Sequence, residues 1–296
     1  VFKSIKHIPV DRKNSLPVSD LQVRYRRTGT PVVFGDLSKY WPASSKWSTD
    51  YLSKSFGDID VPVYSEQLEL NRGQRFKPIL QTNLARFFEL QQQEGSDFRI
   101  SRLLLSQVPE LEKDFSYPRL GFDFFTRLTS LCIGGQGVLE PMRQTSSVMH
   151  TVRCHFGERA SVLLVPAAQS QFVYAIGRSG ITVRDVDYNQ PQFNKYPALK
   201  GIQAYVAELN DGDSLYVPPG FWHCTYYHGA GVTLVLQSAS GKLSQYFGVL
   251  GNHLVNRASK LFESTSIDKN GFTRAEREAV VSTNARFQKL LKKSKS

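Results

Sequence analysis

Gly212-Asp213-Ser214-Leu215-Tyr216-Val217-Pro218-Pro219-Gly220-Phe221-Trp222-His223 is the stretch from which the fold of this 296-residue chain is read. Glycine followed by aspartate lets the chain reverse tightly, because glycine accepts positive φ and aspartate bonds the turn backbone. Residues 214–217 then read as a short strand. Two prolines cannot continue a hydrogen-bonded ladder, so the strand ends at Pro218 and the chain turns again at Gly220. Phe221 and Trp222 place two large rings directly before His223. An imidazole held that way at the mouth of a β-structure can bind a metal or an anion, or can simply be packed and hydrogen-bonded.

Outward from this stretch, segments 148–155, 160–165, 204–209 and 232–237 have the same character, short apolar or alternating runs divided by turn residues. That spacing predicts an all-β sandwich or barrel. The N-terminal part is mixed. Residues 30–35 and 58–64 read as strands. Ser48 is placed to cap a helix, and Leu84, Phe87, Phe88 and Leu90 fall near one helical face within 82–93. Beyond Gly241, Leu243, Tyr246, Phe247, Leu250 and Leu254 make an apolar helical face, and Thr273 is placed to cap a further helix. The expected organisation is an N-terminal mixed segment over 1–127, a β-barrel core over 128–240 and a helical extension over 241–296. The apolar face of the extension suits a homodimer contact and equally suits packing back on the barrel.

Hydrophobic residues make up 41% of the chain, enough for a sizeable core. The longest apolar runs, such as 161–168, are strand-sized, well below the ~20 residues of a membrane helix. The N-terminal residues lack an apolar leader. The three cysteines, Cys132, Cys154 and Cys224, form no CxxC pair. These features lead to the expectation of a cytoplasmic protein with free thiols. The net charge of +11 suits an acidic partner, either nucleic acid or an acidic protein surface. Part of it is the run Lys289, Lys292, Lys293 and Lys295, which a solvated helix end accounts for equally well. Gly134-Gly135-Gln136-Gly137 lacks the Lys-Ser or Lys-Thr of a phosphate loop.

The stretch 212–223, with the later run Leu234-Val235-Leu236-Gln237, resembles the closing half of Jumonji C and related cupin-like hydroxylases. Other segments resemble the same family: Gly29-Thr30-Pro31-Val32-Val33, Lys46-Trp47-Ser48, Phe156-Gly157-Glu158-Arg159 before Val162-Leu163-Leu164-Val165-Pro166, and Asp185-Val186-Asp187 with Tyr196-Pro197. The likeness covers most of residues 20–240. It implies a mainly β fold with helices, a double-stranded β-helix of the cupin or jelly-roll type. It also implies Fe(II) held by a His-x-Asp or His-x-Glu pair and a distal histidine, with 2-oxoglutarate as cosubstrate and a protein or RNA as substrate.

His223 matches the distal histidine. No His-x-Asp or His-x-Glu occurs anywhere in the chain. Anchored on Pro141, the pair falls at Met142 and Gln144. Counted back from Gly157 without gaps, it falls at Gln144 and Ser146. Arg159 matches a lysine that pairs with the cosubstrate carboxylate, and Gln237 matches a polar position on the last strand. An alternative metal set is His150 and Cys154 with His223, provided that the face of 148–155 carrying His150, Val152 and Cys154 turns to the pocket. Otherwise Cys154 packs as a small hydrophobe. Three readings follow: a relative with a degenerate iron site, non-catalytic or non-canonical and needing no cofactor; a working 2-oxoglutarate-dependent oxygenase with unusual metal ligands; and a basic nucleic-acid-associated binding module.

Overall fold

In the computed structural model, residues 1–68, 77–239 and 272–293 are described. Fourteen strands occur among them: β1 (His7–Pro9), β2 (Asp11–Lys13), β3 (Val32–Phe34), β4 (Asp60–Ser65), β5 (Leu80–Asn83), β6 (Phe98–Leu104), β7 (Ser130–Gly134), β8 (Leu139–Gln144), β9 (Met149–Gly157), β10 (Ala160–Val165), β11 (Ala204–Leu209), β12 (Ser214–Val217), β13 (Trp222–Tyr227) and β14 (Gly231–Ala239). They form two sheets, β1-β11-β10-β13-β8 and β2-β3-β12-β9-β14-β7-β6-β4-β5. The mainly β architecture is that of a cupin or jelly roll. The N-terminal residues contribute strands directly, since β3 pairs with β12 and β6 with β7.

Side-chain alternation sorts the residues into three layers. Along β9, Val152, Cys154 and Phe156 face outward into a core shared with Leu52, Phe87 and Phe88. Those last residues come from α2 (Thr49–Phe56) and α3 (Leu84–Gln91), which follow the short α1 (Pro42–Lys46). Ser48 caps α2 by accepting from Tyr51 N at 3.1 Å, and Asn83 caps α3 by accepting from Arg86 N at 2.8 Å. Between the sheets, Val162 and Leu164 of β10 meet Leu215 and Val217 of β12. On the far side, Leu163, Val165, Trp222 and Cys224 form the outer core of the smaller sheet.

The turn before β12 depends on its first two residues. Gly212 has φ +78°, and a Cβ there would lie 2.6 Å from Lys39 Cα, so no other residue fits without backbone movement. Asp213 accepts from Arg12 at 2.5 and 2.9 Å and from Asn210 N at 2.6 Å, fixing the turn and tying β2 to it.

The helix α4 (Arg274–Lys293) lies on the outer core of the smaller sheet, where it buries Ala279 and Phe287. Thr273 and Glu276 bond each other's backbone N–H groups reciprocally at its start. Glu276 also takes a two-pronged ion pair from Arg184, at 2.9 and 2.7 Å. Burial pushes the Glu276 carboxyl up, but the bonds from Arg184 and Thr273 outweigh it and hold it below the usual range. No helix among the described residues is long and apolar enough to cross a membrane. The apolar face expected at 243–254 lies outside the described residues.

Removing one partner of a buried ion pair strands the other charge, at about 3–5 kcal/mol. Arg184→Met is therefore expected to lower the urea midpoint by that equivalent. Arg184→Met combined with Glu276→Leu is expected to recover much of the loss.

Candidate functional site

Between the sheets, beside the apolar layer, the inward side chains turn polar and border a cavity of about 240 Å³. Met149, Thr151 and Arg153 reach it from β9, Val235 and Gln237 from β14, and His223 from β13. Arg102 of β6 and Arg143 of β8 complete its charged wall.

A bulge in β8 makes this wall possible. Thr225 of β13 pairs with Glu140, yet His223, two residues earlier, pairs with Arg143, so β8 carries one extra residue. Pro141, which can donate nothing to a ladder, sits in that irregularity. Residues three apart on a regular strand face opposite sides. The extra residue brings Glu140 and Arg143 to the same side, where they form an ion pair. Glu140 also accepts from Arg153 Nη2 at 3.3 Å, and the side chains of Glu140 and Arg153 are almost fully buried.

Arg153 Nη1 lies 3.4 Å from His223 Nε2. A guanidinium can only donate, so this nitrogen must be the unprotonated acceptor and His223 must be neutral. Burial, followed by the positive charges of Arg153 and Arg143, pushes the His223 pKa well below 6.5. The remaining proton then sits on Nδ1, which is buried without a hydrogen-bond partner among the described residues. Thr151 Oγ1 and Arg153 Nε are in the same condition.

Of the residues singled out in the sequence, His223, Gln144, Ser146 and Gln237 all border the cavity. Gln144 Nε2 donates to Gly220 O at 2.9 Å, and Gln237 stands opposite Thr151 across the β14–β9 ladder. Met142 faces away, buried in the outer core of the smaller sheet. The count anchored on Pro141 runs through the bulge, whereas the gapless count from Gly157 reaches the cavity.

His150 and Cys154 lie on the outward face of β9, so the alternative set with His223 does not converge. His150 Nδ1 is 2.9 Å from the Tyr216 hydroxyl and its ring is 5.2 Å from that of Phe122. Cys154 is fully buried in the outer core, and burial pushes its thiol pKa up to about 12. Arg159 follows the turn at Gly157 and is exposed, 3.2 Å from His228 Nδ1 and away from the cavity.

Arg153, Arg143, Glu140 and Thr151 were not anticipated. The signal for Arg153 was present: a charged residue in the middle of an otherwise largely apolar strand, on the opposite parity from His150.

The donors around the cavity do not fit the iron ion of the two-histidine-one-carboxylate type. Gln144 and Ser146 offer an amide and a hydroxyl, and the one imidazole is turned towards a cation. No group of three or more His, Cys, Asp or Glu side chains suited to a metal occurs among the described residues. The same wall is well suited to an anion.

Residues 19–234 match the family model described as a cupin-like domain. Lysine-specific demethylase 8 of Xenopus tropicalis is 24% identical over 200 residues, covering 65% of this chain and 44% of that protein. Lysine-specific demethylase JMJ30 of Arabidopsis thaliana is 24% identical over 235 residues, covering 72% and 51%. Jumonji C domain-containing protein 5 of Drosophila melanogaster is 24% identical over 221 residues, covering 70% and 54%. The chain thus spans about half the length of these relatives. The likeness places it in the Jumonji C and cupin-like superfamily, whose oxygenases depend on Fe(II) and 2-oxoglutarate.

The buried histidines set a pH dependence of stability. His150 is lowered to about 4, by burial and then by Arg26, and His223 is lowered well below its ordinary value, by burial and then by Arg153 and Arg143. Between their folded values and 6.5 the unfolded chain binds more protons, so stability rises with pH there and is unaffected by these groups above it. Urea midpoints are expected to fall as pH drops from 7 towards 5. His150→Phe is expected to reduce that slope by one proton, about 1.4 kcal/mol per pH unit at full effect.

Proposed function

The chain belongs to the cupin-like domain family, and we propose that in this member metal-independent binding has replaced iron-dependent oxygenation. The observation that carries this reading is the contact between Arg153 Nη1 and His223 Nε2. That nitrogen matches the distal iron ligand of the family, and here a fixed positive charge faces it. A guanidinium cannot supply the open coordination positions that dioxygen and an oxo acid need, and it repels a divalent cation at the same place. Gln144 and Ser146 add no carboxylate to offset that repulsion.

On this reading the protein is a non-catalytic module. Two relatives are lysine-specific demethylases by name, which favours a protein as its partner. The net charge of +11 favours an acidic surface on that partner. The described cysteines are free and buried, which suits a reducing compartment such as the cytoplasm.

The test is to purify the full chain anaerobically, add Fe(II) and 2-oxoglutarate, and measure bound iron and succinate. The expected result is iron far below one ion per chain and no succinate above a protein-free control. Stoichiometric iron with succinate release on admitting oxygen would overturn the reading in favour of an oxygenase with unusual ligands.

A further inference from the structure

Three guanidinium groups border the cavity, those of Arg102, Arg143 and Arg153. The carboxylate that touches two of them is Glu140. Arginine keeps its charge in proteins, and His223 is neutral, so the local surplus is two positive charges. Arg102, Arg143 and Gln144 are half-buried, which leaves the charged wall open to solute. Within that wall, Thr151 Oγ1 and Arg153 Nε are buried polar atoms with no partner among the described residues, on side chains at most 3% exposed. Both can donate. An unpaired buried donor is costly, and an anion that accepts from it removes the cost.

We propose that this cavity is a binding site for a small dianion, a phosphate or a short dicarboxylate, held by the arginines without a metal. The proposal rests on the metal-free reading of the same site and adds the class of ligand. Two surplus charges select a dianion over a monoanion. Guanidinium forks match both phosphate and carboxylate oxygens bidentately. The size agrees: about 240 Å³ is many times the ~10–15 Å³ that one water needs, so a small polyatomic ligand has room. Leu128, Met149 and Val235 give the same cavity an apolar side, against which a short carbon chain can lie. The seat lies inside the sheets and does not use Arg159, whose guanidinium is outside.

Calorimetric titration of the full chain in EDTA tests this, with inorganic phosphate, succinate and acetate as probes. At least one of the two dianions is expected to bind ten-fold or more tightly than acetate. Arg102→Gln and Arg143→Gln are each expected to weaken that dianion at least ten-fold, while Arg159→Gln leaves it unchanged. Because Arg102 is half-exposed and has no part in the Glu140 cluster, its variant remains informative if Arg143→Gln fails to fold. Preference for phosphate points to a phosphoryl ligand and preference for succinate to a dicarboxylate; either supports the site. Failure of both dianions to bind, with or without Fe(II), would overturn this inference and leave the metal-free reading standing. Dianion binding that appears only with stoichiometric Fe(II) would overturn both.

Discussion

A guanidinium buried between two sheets is tolerable only if something negative reaches it, and Arg153 is reached by Glu140. Desolvating an unpaired charge costs several kcal/mol, so the rest of the site is organised around this contact. Glu140 turns inward beside Arg143 through the bulge at Pro141. Arg153, anchored on one side by Glu140, extends its other amino group to His223. Burial and the two arginines then keep that histidine neutral. The bulge thus sets which way the β8 side chains point, burial and the two arginines keep His223 neutral, and the arginines in excess of Glu140 make the cavity positive.

The surrounding fold can carry this polar interior because its apolar work is done elsewhere. The two outer faces of the sheets are closed by separate cores, one under α2 and α3 and one under α4. Between the sheets, β3, β10, β11 and β12 supply an apolar layer at one end. The other end is left for charged and hydroxylic side chains, as in the ligand pockets of other β-sandwich and barrel proteins. The chain thus keeps the cupin-like scaffold of its family around a cavity walled by arginines.

Much of the scaffold was legible in the sequence. Residues 160–165, 204–209 and 214–217 are strands with the expected bounds, because turn residues flank each run. His223, Gln144, Ser146 and Gln237 were placed at the pocket by resemblance to a family pattern, and they border the cavity. The charged cluster was not anticipated, for two physical reasons. A strand has two faces, and the sequence of β9 places histidine and cysteine on one and arginine on the other without saying which is inward. A bulge shifts parity by one residue, so the facing of Glu140 and Arg143 follows from pairing with β13 and not from local pattern. Arg159 was misplaced because a family position was carried across a turn whose end here lies at the surface.

The central claim is that a guanidinium faces His223, the residue that resembles the distal iron-binding histidine of the family. The most direct measurement is a crystal structure of the chain soaked anaerobically with Fe(II) and 2-oxoglutarate, with anomalous data collected at the iron edge. The account predicts the Arg153 guanidinium within hydrogen-bonding reach of His223 Nε2 and no anomalous peak beside that nitrogen. An iron peak at bonding distance from His223 Nε2, with Arg153 displaced, would contradict it.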